Sequence, residues 1–205
     1  MLPNEGTATT LPVLPRLILA SSSENRKMLL GRLVQRFESL DPLCHETPRP
    51  GESPRARAHR LAELKARSIA PGLENCLIIG SDQVAGCRGR ILHKPETHDR
   101  AMADLLWSAG HRIDFWTGVC VLDTRTGEKR SCMDHTRVWM RALTRAEIER
   151  YLAQDEPWSC AASCRAESLG PALFRRMVTR DPAALIGLPL IGLSRLLREQ
   201  NYPLP

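Results

Sequence analysis

No stretch of this 205-residue sequence stays apolar for long. The longest nearly apolar run, 183–193, is broken by Gly187 and Pro189 and falls well short of the roughly 20 residues that a membrane span needs. The opening MLPNEGTATTLPVLP has no basic start and no continuous apolar segment. It therefore reads as a flexible N-terminal tail over 1–15 rather than a secretory signal, and a cytoplasmic protein with no membrane partner is expected. The seven cysteines (Cys44, Cys76, Cys87, Cys120, Cys132, Cys160 and Cys164) are odd in number and include no C-x-x-C pair. That argues against a disulfide framework, and thiols in apolar runs pack as small hydrophobes. Cys160 and Cys164 alone would give a metal two ligands and no matched partner set, so no structural zinc is expected. The phosphate loop G-x-x-x-x-G-K-[ST], the dinucleotide fingerprint G-x-G-x-x-G, H-E-x-x-H and G-x-S-x-G are all missing, which removes the enzyme classes that those motifs mark. Internal repeats, low-complexity tracts and an interdomain linker are absent as well.

What remains has the composition of one globular domain over 16–205, with 42% hydrophobic and 25% charged residues. The formal net charge of +6 favours an anionic partner: a nucleic acid, a nucleotide or a phosphorylated metabolite. Charge does not choose among them. Only Lys27, Lys65, Lys94 and Lys129 among the 29 basic residues are lysines, and the arginines are scattered rather than gathered in a stripe. Nucleic acid is accordingly not the expected partner.

Hydrophobic spacing divides the chain into strands and helices. Arg16-Leu17-Ile18-Leu19-Ala20 is a strand that runs into Ser21-Ser22-Ser23, and Leu29, Leu30, Leu33 and Val34 then follow at helical spacing. A strand-loop-helix opening of this kind offers backbone N–H groups to an anion. Ser53 and Pro54 read as N-cap and first helical residue of a helix to about Ile69, with Ala58, Leu61, Ala62 and Ile69 as its inner stripe. LIIGSDQV is a strand ending at Asp82, followed by a turn over 86–89 and a helix from about His98 that stops before Gly110. The stretches 112–122 and 136–140 flank a TRTG turn as a hairpin. Thr144-Arg145-Ala146-Glu147 is a capping box opening a helix to about Ala153. A last helix from about Pro189 buries Leu190, Leu193, Leu196 and Leu197. Strands alternate with helices and then pair locally, which predicts an α/β fold, a mixed β-sheet flanked by helices.

Four charges sit oddly in this pattern. Arg26 lies four residues before Leu30 and seven before Leu33, and Lys65 four after Leu61 and seven after Ala58, so both fall on the faces that their helices bury. Each cation must either reach out to water or find a carboxylate. Asp82 follows a buried strand, where it can hold a metal, pair with a cation or act as a base, unless it is an ordinary turn aspartate. Lys94-Pro95 puts a point charge on a stiffened loop, useful for a phosphate and also common on inert turns.

Taken in order, LILASSSENRKMLL, HETPRPGESP, RLAELKA, IIGSDQV, HKPET, FWTGVCVL, ASCRAESLG and RDPAALIGLPLIGL resemble the Maf-like nucleotide pyrophosphatases. They look closest to the branch that hydrolyses 7-methyl-GTP. The resemblance implies two lobes with a deep nucleotide-binding cleft, as in Maf/ITPase-like folds, and a homodimer. It also implies cleavage between the α and β phosphates with a divalent metal, Mg²⁺ or Mn²⁺. Asp82 matches the catalytic carboxylate that accepts a proton from water. Ser21, Arg26, Lys65 and Lys94 match substrate-binding residues, and Glu46, with Asp82, is placed at the metal. Asn25, Gln83 and Glu167 align with the specificity positions. Glu167 can accept hydrogen bonds from guanine N1 and N2 and offset the charge of an N7-methylated ring, unless it is a solvated loop acid. Three departures stand out. Glu24 replaces a proline, Lys27 replaces an arginine and loses its bidentate fork, and Asn25 stands where that branch often has an aromatic. The resemblance also leaves open the same reaction on dTTP, UTP or other modified nucleotides, and a non-catalytic cell-division or nucleic-acid-binding regulator.

Overall fold

The computed structural model describes residues 14–204; the expected tail lies outside them except for its last two residues. The described chain forms one seven-stranded mixed sheet. Strand β1 (Arg16–Ala20) leads into α1 (Glu24–Gly31), β2 (Glu38–Leu40) and α2 (Pro54–Ser68). Next come β3 (Cys76–Cys87), β4 (Arg90–Leu92), α3 (His98–Ser108) and the hairpin of β5 (Arg112–Asp123) and β6 (Lys129–Met140). Helix α4 (Arg145–Asp155), β7 (Phe174–Val178), α5 (Pro182–Ile186) and α6 (Leu190–Glu199) complete the chain. The order β2-β1-β3-β5-β6-β7 is parallel at β2-β1-β3 and antiparallel beyond, with β4 hairpinned to β3. The expected α/β architecture is present, and among the described residues no helix is long and apolar enough to cross a membrane.

Local chemistry sets the helix ends. Ser23, Ser53, Thr97 and Asp181 accept backbone N–H groups as N-caps of α1, α2, α3 and α5, and Thr144 with Glu147 forms the capping box of α4. The reciprocal bonds with Thr144 and the Arg141 guanidinium hold the Glu147 carboxyl down at about 2. Helix α1 stops at Gly31, earlier than the spacing of Leu33 and Val34 suggests, because tighter turns from Leu29 O to the Arg32 N–H and from Leu30 O to the Leu33 N–H carry the pattern past its end.

Strand alternation sorts the core. Leu17, Leu19, Leu77, Ile79, Val119 and Val121 face α1 and α6, whereas Ile18, Ile78, Cys120 and Leu122 face α2. A third cluster joins Ile113, Phe115 and Val138 to α3 and α4. Two glycines let α2 lie close on its face. A Cβ at Gly80 would stand 2.2 Å from the Ala62 carbonyl oxygen, and one at Gly118 2.8 Å from that of Ala58.

The largest departure from the sequence reading is β3. It does not end at Asp82 but runs on to Cys87, because β5 pairs with it continuously from Leu77 to Gly86. Its other edge is interrupted. Strand β1 pairs up to Gly80 and β4 pairs only from Ala85, opposite Leu92, so residues 81–84 lack a neighbour on that side. Asp82 thus lies just past the carboxyl end of β1, where ligands bind in open α/β sheets, although it sits inside its own strand.

Candidate active site

A cavity of about 480 Å³ opens at this gap in the sheet edge. Alternation along β3 sends Asp82 to the α2 face and Gln83 to the α5 face, so the cavity draws on both sides of the sheet.

On the α2 face, the stripe position of Lys65 turns its side chain inward, where Nζ stands 2.6 Å from Asp82 Oδ1 and 2.8 Å from Glu46 Oε1. Lys65 and Asp82 are both buried; Glu46 is half-exposed, with 48% of its side chain open to solvent. One ammonium therefore serves two carboxylates, the arrangement that makes a buried charge tolerable. Among the described residues, Asp82 Oδ2 receives no hydrogen bond, so half of the carboxylate is open to the cavity. Burial pushes the Glu46 carboxyl up, but the Lys65 hydrogen bond and the charges of Lys65, Lys94 and Arg26 outweigh it and leave the group below its ordinary range. Lys94 lies exposed on the cavity wall, near enough to contribute to that shift.

Arg26 reaches from α1 to the turn after α5. Its Nε donates to the Gly187 carbonyl at 2.8 Å, and the Ser81 hydroxyl lies 3.0 Å from the same oxygen. Gly187 holds a φ of +128°, which suits glycine, and a Cβ there would come within 3.4 Å of Arg26 Nε. Burial lowers the Arg26 pKa, opposed by the charges of Asp82 and Glu46. Its inward position, read from helical offset, is confirmed, but its direct partner is a backbone oxygen rather than a carboxylate.

On the α5 face, Gln83 Nε2 donates to the carbonyls of Ala184 at 2.9 Å and Leu185 at 3.0 Å. Two carbonyl acceptors fix the amide orientation, and among the described residues Oε1 has no partner. Asn25 Nδ2 donates to Glu167 Oε1 at 2.7 Å across 142 residues of sequence, and Arg165 Nε stands 3.5 Å from the same oxygen. Glu167 is an exposed residue, but its side chain is only 18% open to solvent and its Oε1 is engaged by Asn25. Asn25, Gln83 and Glu167 all line the cavity.

Ser21 is the exception among the expected residues. It is buried off the cavity wall, and its hydroxyl accepts the Ser23 N–H at 3.1 Å. Ser23 lines the cavity in its stead while capping α1. Sequence reasoning also passed over Arg57, His93 and Arg100, which line the cavity as well. Arg57 carried only part of the mark of Lys65, lying four residues before Leu61 but next to Ala58, on the flank of the inner stripe of α2. All seven cysteines are free thiols. Cys160 lines the cavity and burial pushes its pKa up, which disfavours a metal-binding thiolate.

Among the described residues no three His, Cys, Asp or Glu side chains cluster to hold a metal ion. Asp82 and Glu46 are nevertheless hard oxygen donors that meet at one ammonium. That pair fits Mg²⁺ or Mn²⁺ if phosphate oxygens and water fill the other positions, the usual way Mg²⁺ is bound beside phosphates.

The profile of the family described as Maf-like protein matches residues 16–200. A 7-methyl-GTP pyrophosphatase of Cupriavidus pinatubonensis is 48% identical over 190 residues, 93% of this chain and 96% of its own. One from Nitrosococcus oceani is 45% identical over 192 residues, 94% of this chain and 96% of its own. Another, from Xanthomonas axonopodis pv. citri, is 45% identical over 194 residues, 94% of this chain and all of its own.

Proposed function

Because the chain belongs to the Maf-like protein family, we propose that it is a nucleoside triphosphate pyrophosphatase converting 7-methyl-GTP to 7-methyl-GMP and pyrophosphate. The carrying observation is the Asp82 carboxylate, buried, held by Lys65 through one oxygen and open to the cavity through the other. Relatives covering nearly the whole chain bear the name of this activity.

In this reading Asp82 Oδ2 accepts a proton from water as the water oxygen bonds to the α-phosphorus. The bond from that phosphorus to the bridging oxygen breaks, and pyrophosphate leaves with the electron pair. No covalent intermediate is needed. Lys65 keeps the carboxylate oriented, while Arg26 and Lys94 offset phosphate charge in a site of restricted solvent access. A divalent cation held by Asp82, Glu46 and phosphate oxygens would neutralise charge on the triphosphate and on the departing group. Glu167, with Oε1 fixed by Asn25, offers its other oxygen to guanine N1 and N2 and its charge to a methylated, cationic ring. Ser21 supports the Ser23 cap rather than touching phosphate. A homodimer in the cytoplasm is the setting that accompanies this reading.

The test is a panel of 7-methyl-GTP, GTP, dTTP and UTP with Mg²⁺ or Mn²⁺, read by pyrophosphate release, for the wild type and Asp82→Asn. The highest kcat/KM should fall on 7-methyl-GTP, and Asp82→Asn should lower kcat by about 10²–10⁴-fold while the variant still folds cooperatively. Preference for a pyrimidine would reject the role of Glu167, and normal release by Asp82→Asn would reject the role of Asp82.

A further inference from the structure

The cations of the cavity are not equivalent. Lys65 is committed to two carboxylates, and Arg26 is tied to the Gly187 carbonyl. On α2, Arg60 holds Glu52 through Nε at 2.6 Å and Nη2 at 2.7 Å, Arg67 holds Glu63, and Arg55 lies over the Trp116 ring. Arg57 differs from its helix neighbours. It lines the cavity, pairs with no carboxylate among the described residues, and makes one long contact, Nη2 to the Glu46 carbonyl at 3.4 Å. Its Nε is buried without a hydrogen-bond partner, a cost that native structures seldom carry without a reason. A guanidinium that keeps donors unspent on a cavity wall suits a planar, multidentate anion such as a phosphate.

Its place along the cavity says which phosphate. Gln83 reaches the cavity from the α5 face, and the bonded pair of Asn25 and Glu167 lines it as well. Asp82 and Lys65 stand at the gap in the sheet edge, on the α2 face. Arg57 lies eight residues of α2 before Lys65, about 12 Å along the axis, and lines the same cavity. A nucleotide with its base between Gln83 and Glu167 and its α-phosphorus at Asp82 directs its outer phosphates towards α2.

We infer that Arg57 is a substrate-binding residue for the β and γ phosphates, and hence for the leaving pyrophosphate. The inference rests on the pyrophosphatase reading in taking Asp82 as the point of attack. With Lys94 it forms a terminal-phosphate pocket distinct from the base end. Arg57 therefore discriminates triphosphate from monophosphate, not one base from another.

The test is calorimetric titration of inorganic pyrophosphate, and separately of 7-methyl-GMP, into the wild type, Arg57→Leu and Arg57→Lys, all with Mg²⁺. Arg57→Leu should weaken pyrophosphate binding roughly tenfold to a hundredfold and leave 7-methyl-GMP affinity and the melting temperature unchanged. Arg57→Lys should restore part of the loss, as a point charge without the fork. Unchanged pyrophosphate affinity in Arg57→Leu would overturn the assignment. So would an equal loss for both ligands with a lowered melting temperature, which marks a purely structural arginine. If the nucleotide panel instead favours another base, the pyrophosphate titration still judges Arg57, so the two readings fail separately.

Discussion

Lys65 shows how much of a site a single residue can organise. Its buried ammonium makes Asp82 tolerable as an anion, orients it and draws Glu46 to the same point. Replacing it by methionine keeps the apolar stem and leaves a buried carboxylate without its counter-charge. Loss of one partner of a buried pair costs about 3–5 kcal/mol, and because Glu46 keeps contact with water the low end, about 3 kcal/mol, is expected from urea unfolding of Lys65→Met at pH 7. The pH dependence should change with it. Glu46 lies below its ordinary value of 4.5, so its contribution is present above that value and is lost as pH falls through the folded one. The acid-side loss should be smaller in Lys65→Met, and an unaltered urea midpoint in that variant would contradict the shared-ammonium account. Lys65 and Arg26 were legible in the sequence because helical offset alone puts a residue on a buried stripe. Arg57 meets that rule only at Leu61, on the flank of the stripe, and does not stand out among 25 arginines. The Asn25–Glu167 bond had no local signature, since its partners are 142 residues apart.

At the level of elements, the site depends on how closely α2 approaches β3 and β5. Gly80 and Gly118 face the helix backbone, and Gly118→Ala would set a methyl 2.8 Å from the Ala58 carbonyl oxygen. Shifting α2 to make room should cost about 1–3 kcal/mol and lower kcat as Lys65 withdraws from Asp82, measured by urea midpoint and pyrophosphate release. Gly31→Ala is the control: a Cβ there meets nothing within 4 Å, and neither quantity should fall. The strongly patterned elements β1, α2, α3, the β5–β6 hairpin, α4 and α6 could be read from spacing and caps. Strand β3 was cut short at Asp82 because glycine, serine, aspartate and glutamine break the apolar run. What continues the strand is β5 beside it, a partner that spacing within one segment does not reveal. Strand β2, of three residues, is too short to show any period.

Across the whole molecule, the decisive feature is the gap between the ends of β1 and β4 on one edge of β3. It opens the cavity to both faces of the sheet, with Gln83 on the α5 side and Asp82, Glu46 and Lys65 on the α2 side. Neither face alone assembles a site. Eight ordered motifs carried most of the participants, but strand pairing decides that Asp82 and Gln83, adjacent in the chain, point to opposite faces of the sheet. The proposed reading puts the α-phosphorus beside Asp82. Hydrolysis of 7-methyl-GTP in ¹⁸O-labelled water, with mass spectrometry of both products, tests that claim directly. The account predicts one labelled oxygen in the 7-methyl-GMP phosphate and none in pyrophosphate; label in the pyrophosphate would place the attack on the β-phosphorus and contradict it.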